Sequence, residues 1–209
     1  MSKVFYDKPI IDQIFEEFCK SKSKQDQNKL IKLVSILPPE DINNKNTIGN
    51  TVLILTSMFG GYVEIAKLLL EHKDIDVNIR NDEGNTALLY ASIYHIKIVE
   101  LLLEREDIDV NVQCNEGNTA LHIAVYVNRI DTLKLLLEHK DINVNIRNND
   151  GCTALIFARI RTAEITRLLL EHEDIDIKIQ DNSGSTALNF AIDEGHTEMV
   201  ELLKNHNSN

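Results

Sequence analysis

Three histidines stand in one local phrase, Glu-His-x-Asp: His72, His139 and His172. Imidazole and carboxylate in register are the materials of a metal site or of general-base catalysis. A shared zinc ion would need ligand atoms within about 2.0–2.2 Å of it. Equivalent positions in packed helical units lie roughly 8–10 Å apart, so these three cannot meet on one ion. The second occurrence of the phrase carries Arg105 in place of histidine. These residues are therefore read as polar groups at helix C-termini that complement the helix dipole. His122 is the other candidate base, but no recognisable motif sets a Ser or Cys nucleophile beside it. A Gly-rich phosphate loop, HExxH and Gly-x-Ser-x-Gly are all missing. Cys19, Cys114 and Cys152 are odd in number and scattered, without a CxxC pair. They point to a reducing compartment rather than to disulfides or zinc. No catalytic residue, metal or cofactor is expected.

The elements that would position these side chains follow from an internal repeat. Gly-x-Thr-x-Leu begins at Gly49, Gly84, Gly117, Gly151 and Gly184, at intervals of 35, 33, 34 and 33 residues. A Leu-rich phrase recurs between them at Lys67–His72, Glu100–Arg105, Lys134–His139 and Arg167–His172, and weakens at Glu201–Lys204. A third phrase follows: Asp76-Val77-Asn78, Asp109-Val110-Asn111, Asn143-Val144-Asn145 and Asp176-Ile177-Lys178. In each unit the Gly closes a turn where positive φ is cheap. Thr51, Thr86, Thr119, Thr153 and Thr186 are helix N-caps. A short helix follows, then a second helix carrying the Leu triplet, then a polar hairpin loop such as 78–84. One unit cannot bury its apolar face alone, so the units must stack into a continuous core.

Composition agrees. The chain has 209 residues, 43% apolar and 5% aromatic, without Trp, which suits packed aliphatic helices. Its net charge of −11 is uneven. Residues 1–48 carry eight basic and seven acidic groups, and residues 49–209 carry fourteen and twenty-six. An acidic body disfavours nucleic-acid backbones and anionic membranes. The sequence shows neither a signal-peptide h-region nor an apolar run of membrane-spanning length. The expectation is a monomer in the cytoplasm.

These phrases resemble ankyrin repeats, whose pattern is Gly-x-Thr-Pro-Leu-His-x-Ala before a Leu-rich second helix. Gly117-Asn118-Thr119-Ala120-Leu121-His122-Ile123-Ala124 is the nearest match. The resemblance covers residues 40–209 and implies an all-α ankyrin-repeat solenoid. The expected organisation is a divergent helical N-terminal cap at 1–48 and repeats at 49–209. Their bounds are 49–83, 84–116, 117–150, 151–183 and 184–209, the last a C-terminal cap. Departures are local. Val52 or Ala replaces the motif Pro throughout, and only His122 keeps the motif His. The loop at Gly60-Gly61 has one extra residue, and the loops at Tyr94-His95 and Arg161-Thr162 are each one residue short. Loops absorb such changes cheaply.

What the resemblance implies for function is a non-enzymatic scaffold that binds a partner protein on its concave face. In the Gly register that face carries Met58 and Phe59, Ile93 and Tyr94, Tyr126 and Val127, Ile160 and Arg161, then Asp193 and Glu194. Four successive repeats are apolar or aromatic there, as interaction patches tend to be. Packing of these side chains between repeats is the competing reading. Hairpin tips would add polar contacts: Arg80, Asp82 and Glu83; Gln113, Asn115 and Glu116; Arg147, Asn149 and Asp150; and Gln180, Asn182 and Ser183. Asn78, Asn111 and Asn145 occupy positions that an asparaginyl hydroxylase can modify in this family. Leu37-Pro38-Pro39-Glu40 is similar to the opening of an F-box, and an adaptor for a ubiquitin ligase, recruiting through residues 1–48, is the alternative function. The wealth of Asn, Ile and Lys suits an AT-rich genome, and similar proteins serve as effectors in a host cytosol.

Overall fold

The computed structural model describes residues 9–20, 24–59, 61–158 and 163–206. Helices come in pairs. Residues Ile10–Lys20 (α1) and Lys24–Ser35 (α2) form the first pair, and a short 3-10 turn at Pro39–Asp41 follows. The next pairs are Val52–Phe59 (α3) with Val63–Leu70 (α4), and Ala87–Tyr94 (α5) with Ile96–Leu103 (α6). Ala120–Tyr126 (α7) pairs with Ile130–Leu137 (α8), and Ala154–Phe157 (α9) with Ala163–Leu170 (α10). Ala187–Asp193 (α11) and Thr197–His206 (α12) complete the set. No strand occurs among the described residues.

All five threonines cap as expected. Each hydroxyl accepts from the backbone N–H three residues on, at Ile54, Leu89, His122, Ile156 and Asn189. First helices stack on first helices, α1 through α3, α5, α7 and α9 to α11. Second helices form a parallel stack from α2 to α12. The core lies between these layers. Leu53, Leu88 and Leu121 of the first helices, with Leu69, Leu102 and Leu136 of the Leu triplets, are fully buried in it.

The Asp/Asn phrases do more than close loops. Asn43, Asn78, Asn111 and Asn145 form a ladder in which each side chain grips the backbone of the next unit. Asn111 Nδ2 donates to the Asp141 carbonyl at 2.7 Å, and its Oδ1 accepts from the Asn143 N–H at 2.9 Å. Asn78 holds Asp107 and Asp109 in the same way, and Asn145 holds Asp174 and Asp176. Asn43 does so to Asp74 and Asp76, which ties the N-terminal helix pair to the stack by the bond that joins later units. Lys178 stands at this position in the fourth repeat, 151–183. Asn111→Ala removes both of these solvent-exposed bonds at one junction. It should lower the unfolding free energy by about 1–3 kcal/mol, read as a lower urea midpoint with unchanged native circular dichroism.

Loop changes alter helix ends locally. A single residue, His95, separates α5 from α6 and serves as C-cap of one and N-cap of the other. After α7 the chain turns at Asn128, a non-glycine residue at φ 59. Asn tolerates this left-handed conformation better than most residues.

Candidate partner-binding surface

The histidines serve the fold. His72, His139 and His172 each accept at Nδ1 from the backbone N–H two residues on, at 3.2, 3.3 and 3.3 Å. They close the turn after each second helix. Arg105 closes the same turn differently, with a two-point bond to Asp107 at 2.9 and 2.8 Å and a third bond to the Leu70 carbonyl. His122 is almost fully buried in the α7 N-terminus, where its ring meets the edge of Phe157. Its Nε2–H donates to the Cys152 carbonyl at 3.0 Å across a repeat junction. Its Nδ1 faces the Thr119 N–H and hydroxyl, completing a capping box. Burial pushes its pKa down to about 4, so at neutral pH it is an uncharged structural group. No cluster of His, Cys, Asp and Glu with metal-site geometry occurs among the described residues.

Cys114 replaces an Asx residue. At the matching position of other units, Asn46, Asn81, Asn148 and Asp181 each accept two backbone N–H groups through Oδ1. Cys114 instead donates its thiol to Glu116 Oε2 at 2.9 Å. Burial, and then that bond, pushes the thiol pKa up, which keeps it an unreactive thiol. The same bond holds the Glu116 carboxyl below the usual carboxylate range.

The apolar stripe divides by residue. Phe59, Tyr94 and Tyr126 are 55, 65 and 49% exposed, and Met58, Ile93 and Val127 are half-buried. Some of these side chains thus face solvent and the others pack partly into the stack. The Gly register pairs Tyr126 with Ile93, but the structure exposes Tyr126 and tucks Val127 partly in. The physical cause is that α7 is one residue shorter than α5 and Val127 is its C-cap. Ile160 and Arg161 lie outside the described residues. Asp193 and Glu194 are exposed at the end of α11, so the last unit is acidic where the first three each carry an aromatic residue.

Two contributors escaped the sequence reading. The first is a second row one helical turn earlier: Tyr90, Ile123 and Phe157, all half-buried. Residues three or four apart share a helix face, so Tyr90 underlies Tyr94. Phe157 packs edge-on to Tyr126 at 6.1 Å between ring centres. Their constant place six residues after each Gly was the available signal. The second is Arg129. Its Nε–H donates to the Ile93 carbonyl at 2.7 Å, and its guanidinium lies 5.1 Å from the Tyr94 ring centre. An aromatic group from one repeat is thereby held by a cation from the next, although it is the most exposed large apolar side chain of the described residues.

Hairpin tips are stitched together and still present carboxylates. Asn115 and Asn149 donate through Nδ2 to the Asp82 and Asn115 carbonyls at 2.9 and 2.7 Å. Gln113 Nε2 bonds the Gly117 and Arg147 carbonyls. Arg80 and Arg147 fold back onto the Gly84 and Gly151 carbonyls and reach Asn115 and Asn182. Asp82, Glu83, Glu116 and Asp150 remain exposed. The Tyr90 hydroxyl donates to Glu83 at 3.0 Å, which puts the hairpin carboxylates on the same face as the aromatic rows.

The family model for ankyrin repeats in three copies matches residues 21–114, 75–148 and 141–209. Among solved structures, EF0377, an ankyrin repeat protein, superposes with a TM-score of 0.80 at 29% sequence identity, covering 93% of this chain and 97% of that one. The ankyrin repeat domain of Bcl-3, a member of the IkappaB protein family, superposes at 0.79 with 22% identity, covering 96% and 86%. No curated protein matches the sequence. Ankyrin repeats serve in general as protein–protein interaction modules. Among the described residues no helix is long and apolar enough to cross a membrane. With three copies of the repeat model spanning residues 21–209, the chain belongs to the ankyrin repeat family.

Proposed function

We propose that this chain is a non-enzymatic module that captures a partner protein on the face formed by the first helices and the hairpin tips. The observation that carries this is the exposure of Phe59, Tyr94 and Tyr126 on three consecutive repeats. A soluble surface tolerates single exposed aromatics, but a repeated row of them is typical of an interface. Tyr94 supports the reading further. Arg129 holds it before any partner arrives, so little side-chain freedom is left to lose on binding. The adaptor alternative has no comparable support, because Leu37 and Ile42 are buried and Pro39–Asp41 forms the turn leading to the Asn43 rung.

Affinity capture from cell lysate, with wild type beside Tyr94→Ala/Tyr126→Ala and mass spectrometry of what is retained, tests the proposal. At least one protein should be retained by wild type and depleted about a hundredfold by the variant, as expected for two central aromatic anchors. Both chains should keep the same helical content. Identical retention would move the binding surface elsewhere.

A further inference from the structure

We propose that the occupant of this face is an extended, basic segment of the partner. Its apolar side chains would sit between Phe59, Tyr94 and Tyr126, and its Lys or Arg groups would face the hairpin carboxylates. This rests on reading the aromatic row as the binding face and adds the chemistry of what binds there.

Charge supplies the first argument. Asp82, Glu83, Glu116 and Asp150 stand exposed along three successive tips. The basic groups in the same tip segments, Arg80 and Arg147, have donors already engaged by Gly84, Asn115, Gly151 and Asn182, and Lys45 of the preceding hairpin donates to the Arg80 carbonyl at 2.8 Å. They have little left to offer an acidic ligand, and the carboxylates outnumber them. The body of the chain, with fourteen basic and twenty-six acidic groups over residues 49–209, adds a long-range field of the same sign.

Arg129 supplies the second. The molecule already lays one guanidinium over Tyr94 while donating to a backbone carbonyl beside it. An aromatic ring favours a cation over its face. The neighbouring step, Phe59, offers an aromatic ring of the same kind.

The width of the site gives the third. The Glu83–Tyr90 bond brings the carboxylate row against the residue one turn below Tyr94. One helical turn is about 5–6 Å between side-chain origins. In a polyproline II segment each side chain is turned by about a third of a circle from the last, so adjacent ones reach both rows. At about 3.1 Å per residue and three residues per turn, every third residue meets a new aromatic step if repeats are spaced roughly 8–10 Å apart.

The test is fluorescence anisotropy of three labelled peptides, repeating Leu-Lys-Ser, Leu-Gln-Ser and Leu-Glu-Ser, against the full chain. Wild type should bind the Lys peptide at least about tenfold tighter than the Gln peptide, and the Glu peptide least. Asp82→Asn/Asp150→Asn should lose about tenfold for the Lys peptide, and so should Tyr94→Ala/Tyr126→Ala. Glu171→Gln/Glu173→Gln, in the turn after the outer helix α10, controls for general attraction to an acidic chain and should change binding less than about twofold. Circular dichroism verifies the fold of each variant. Equal binding of the Lys and Gln peptides, both lost from the Tyr variant, would overturn the basic partner and leave the aromatic face intact. A Lys signal that survives the Asp and Tyr changes, or falls with the outer pair, would overturn the proposal as mere charge attraction. Failure of wild type to bind any peptide would also overturn it, while capture by the aromatic row stays separately decided by the lysate experiment.

Discussion

Gly117→Ala should unfold at much lower urea than wild type, with a loss of about 2–5 kcal/mol, whereas Gly184→Ala should lose only about 1–2 kcal/mol. Both glycines sit at positive φ, 79° and 85°. An L-residue held in that conformation costs about 1–2 kcal/mol, and this component is common to both sites. They differ in what a new Cβ would meet. At Gly117 it would lie 2.7 Å from the backbone nitrogen of Asn149, and at Gly184 nothing stands within 4 Å. That nitrogen donates to the Glu116 carbonyl at 3.0 Å. The methyl group therefore has to push apart two hairpins that are hydrogen-bonded backbone to backbone, and overpacking of this kind adds about 1–3 kcal/mol. The pair of variants separates strain within a turn from the close approach between repeats. Equal losses, measured by urea unfolding followed through circular dichroism, would show that neighbouring hairpins part freely and that stacking does not depend on a bare backbone here.

The same distinction between local and cross-repeat physics explains what the sequence made legible. Thr51, Thr86, Thr119, Thr153 and Thr186 were readable as caps because a cap is a bond between residues three apart. The Leu triplets were readable because one helix face decides burial. The partners of Asn78, Asn111 and Asn145 lie about thirty residues away and come into reach only on stacking. In the sequence they read as modifiable side chains, and only stacking makes them the rungs that join units. Arg129 escaped for the same reason, since its bond to Ile93 spans 36 positions. Tyr126 illustrates a finer limit. The Gly register located the helix end but not which of two adjacent residues would face solvent, since that depends on a helix shorter by one residue and a left-handed Asn128 after it. Tyr90 and Phe157 were visible as a regular column and went unused, because their value lies in supporting Tyr94 and Tyr126 rather than in their own exposure.

Acidification should weaken the fold through His122, and His122→Ile should remove that component. An ordinary histidine titrates near pH 6.5. Burial holds His122 at about 4, with the Nε2–H bond to the Cys152 carbonyl opposing that shift only partly. The neutral ring accepts the Thr119 N–H at Nδ1, and a proton there would displace the acceptor. The sign follows from linkage. Because the native pKa is the lower one, the unfolded chain binds the proton more readily, and stability is lost as pH falls from about 6.5 towards 4. Above about pH 7 both states are neutral and the site contributes no pH dependence. A shift of about 2.5 units at about 1.4 kcal/mol each gives a total loss of about 3 kcal/mol by pH 4. Leu89 and Ile156 occupy the equivalent place in the neighbouring repeats and Ile54 in the first, so isoleucine fits the stack, at the cost of the bond to Cys152 and of a lower starting stability. The informative quantity is therefore the slope. Urea unfolding of both chains at intervals between about pH 7 and pH 4.5 should give wild type the steeper decline, with the difference confined to the region below about pH 6.5. Parallel declines would assign the acid sensitivity to other groups. A steeper wild-type slope would identify the one motif histidine this chain retains as a buried brace whose neutrality the junction between α7 and α9 requires.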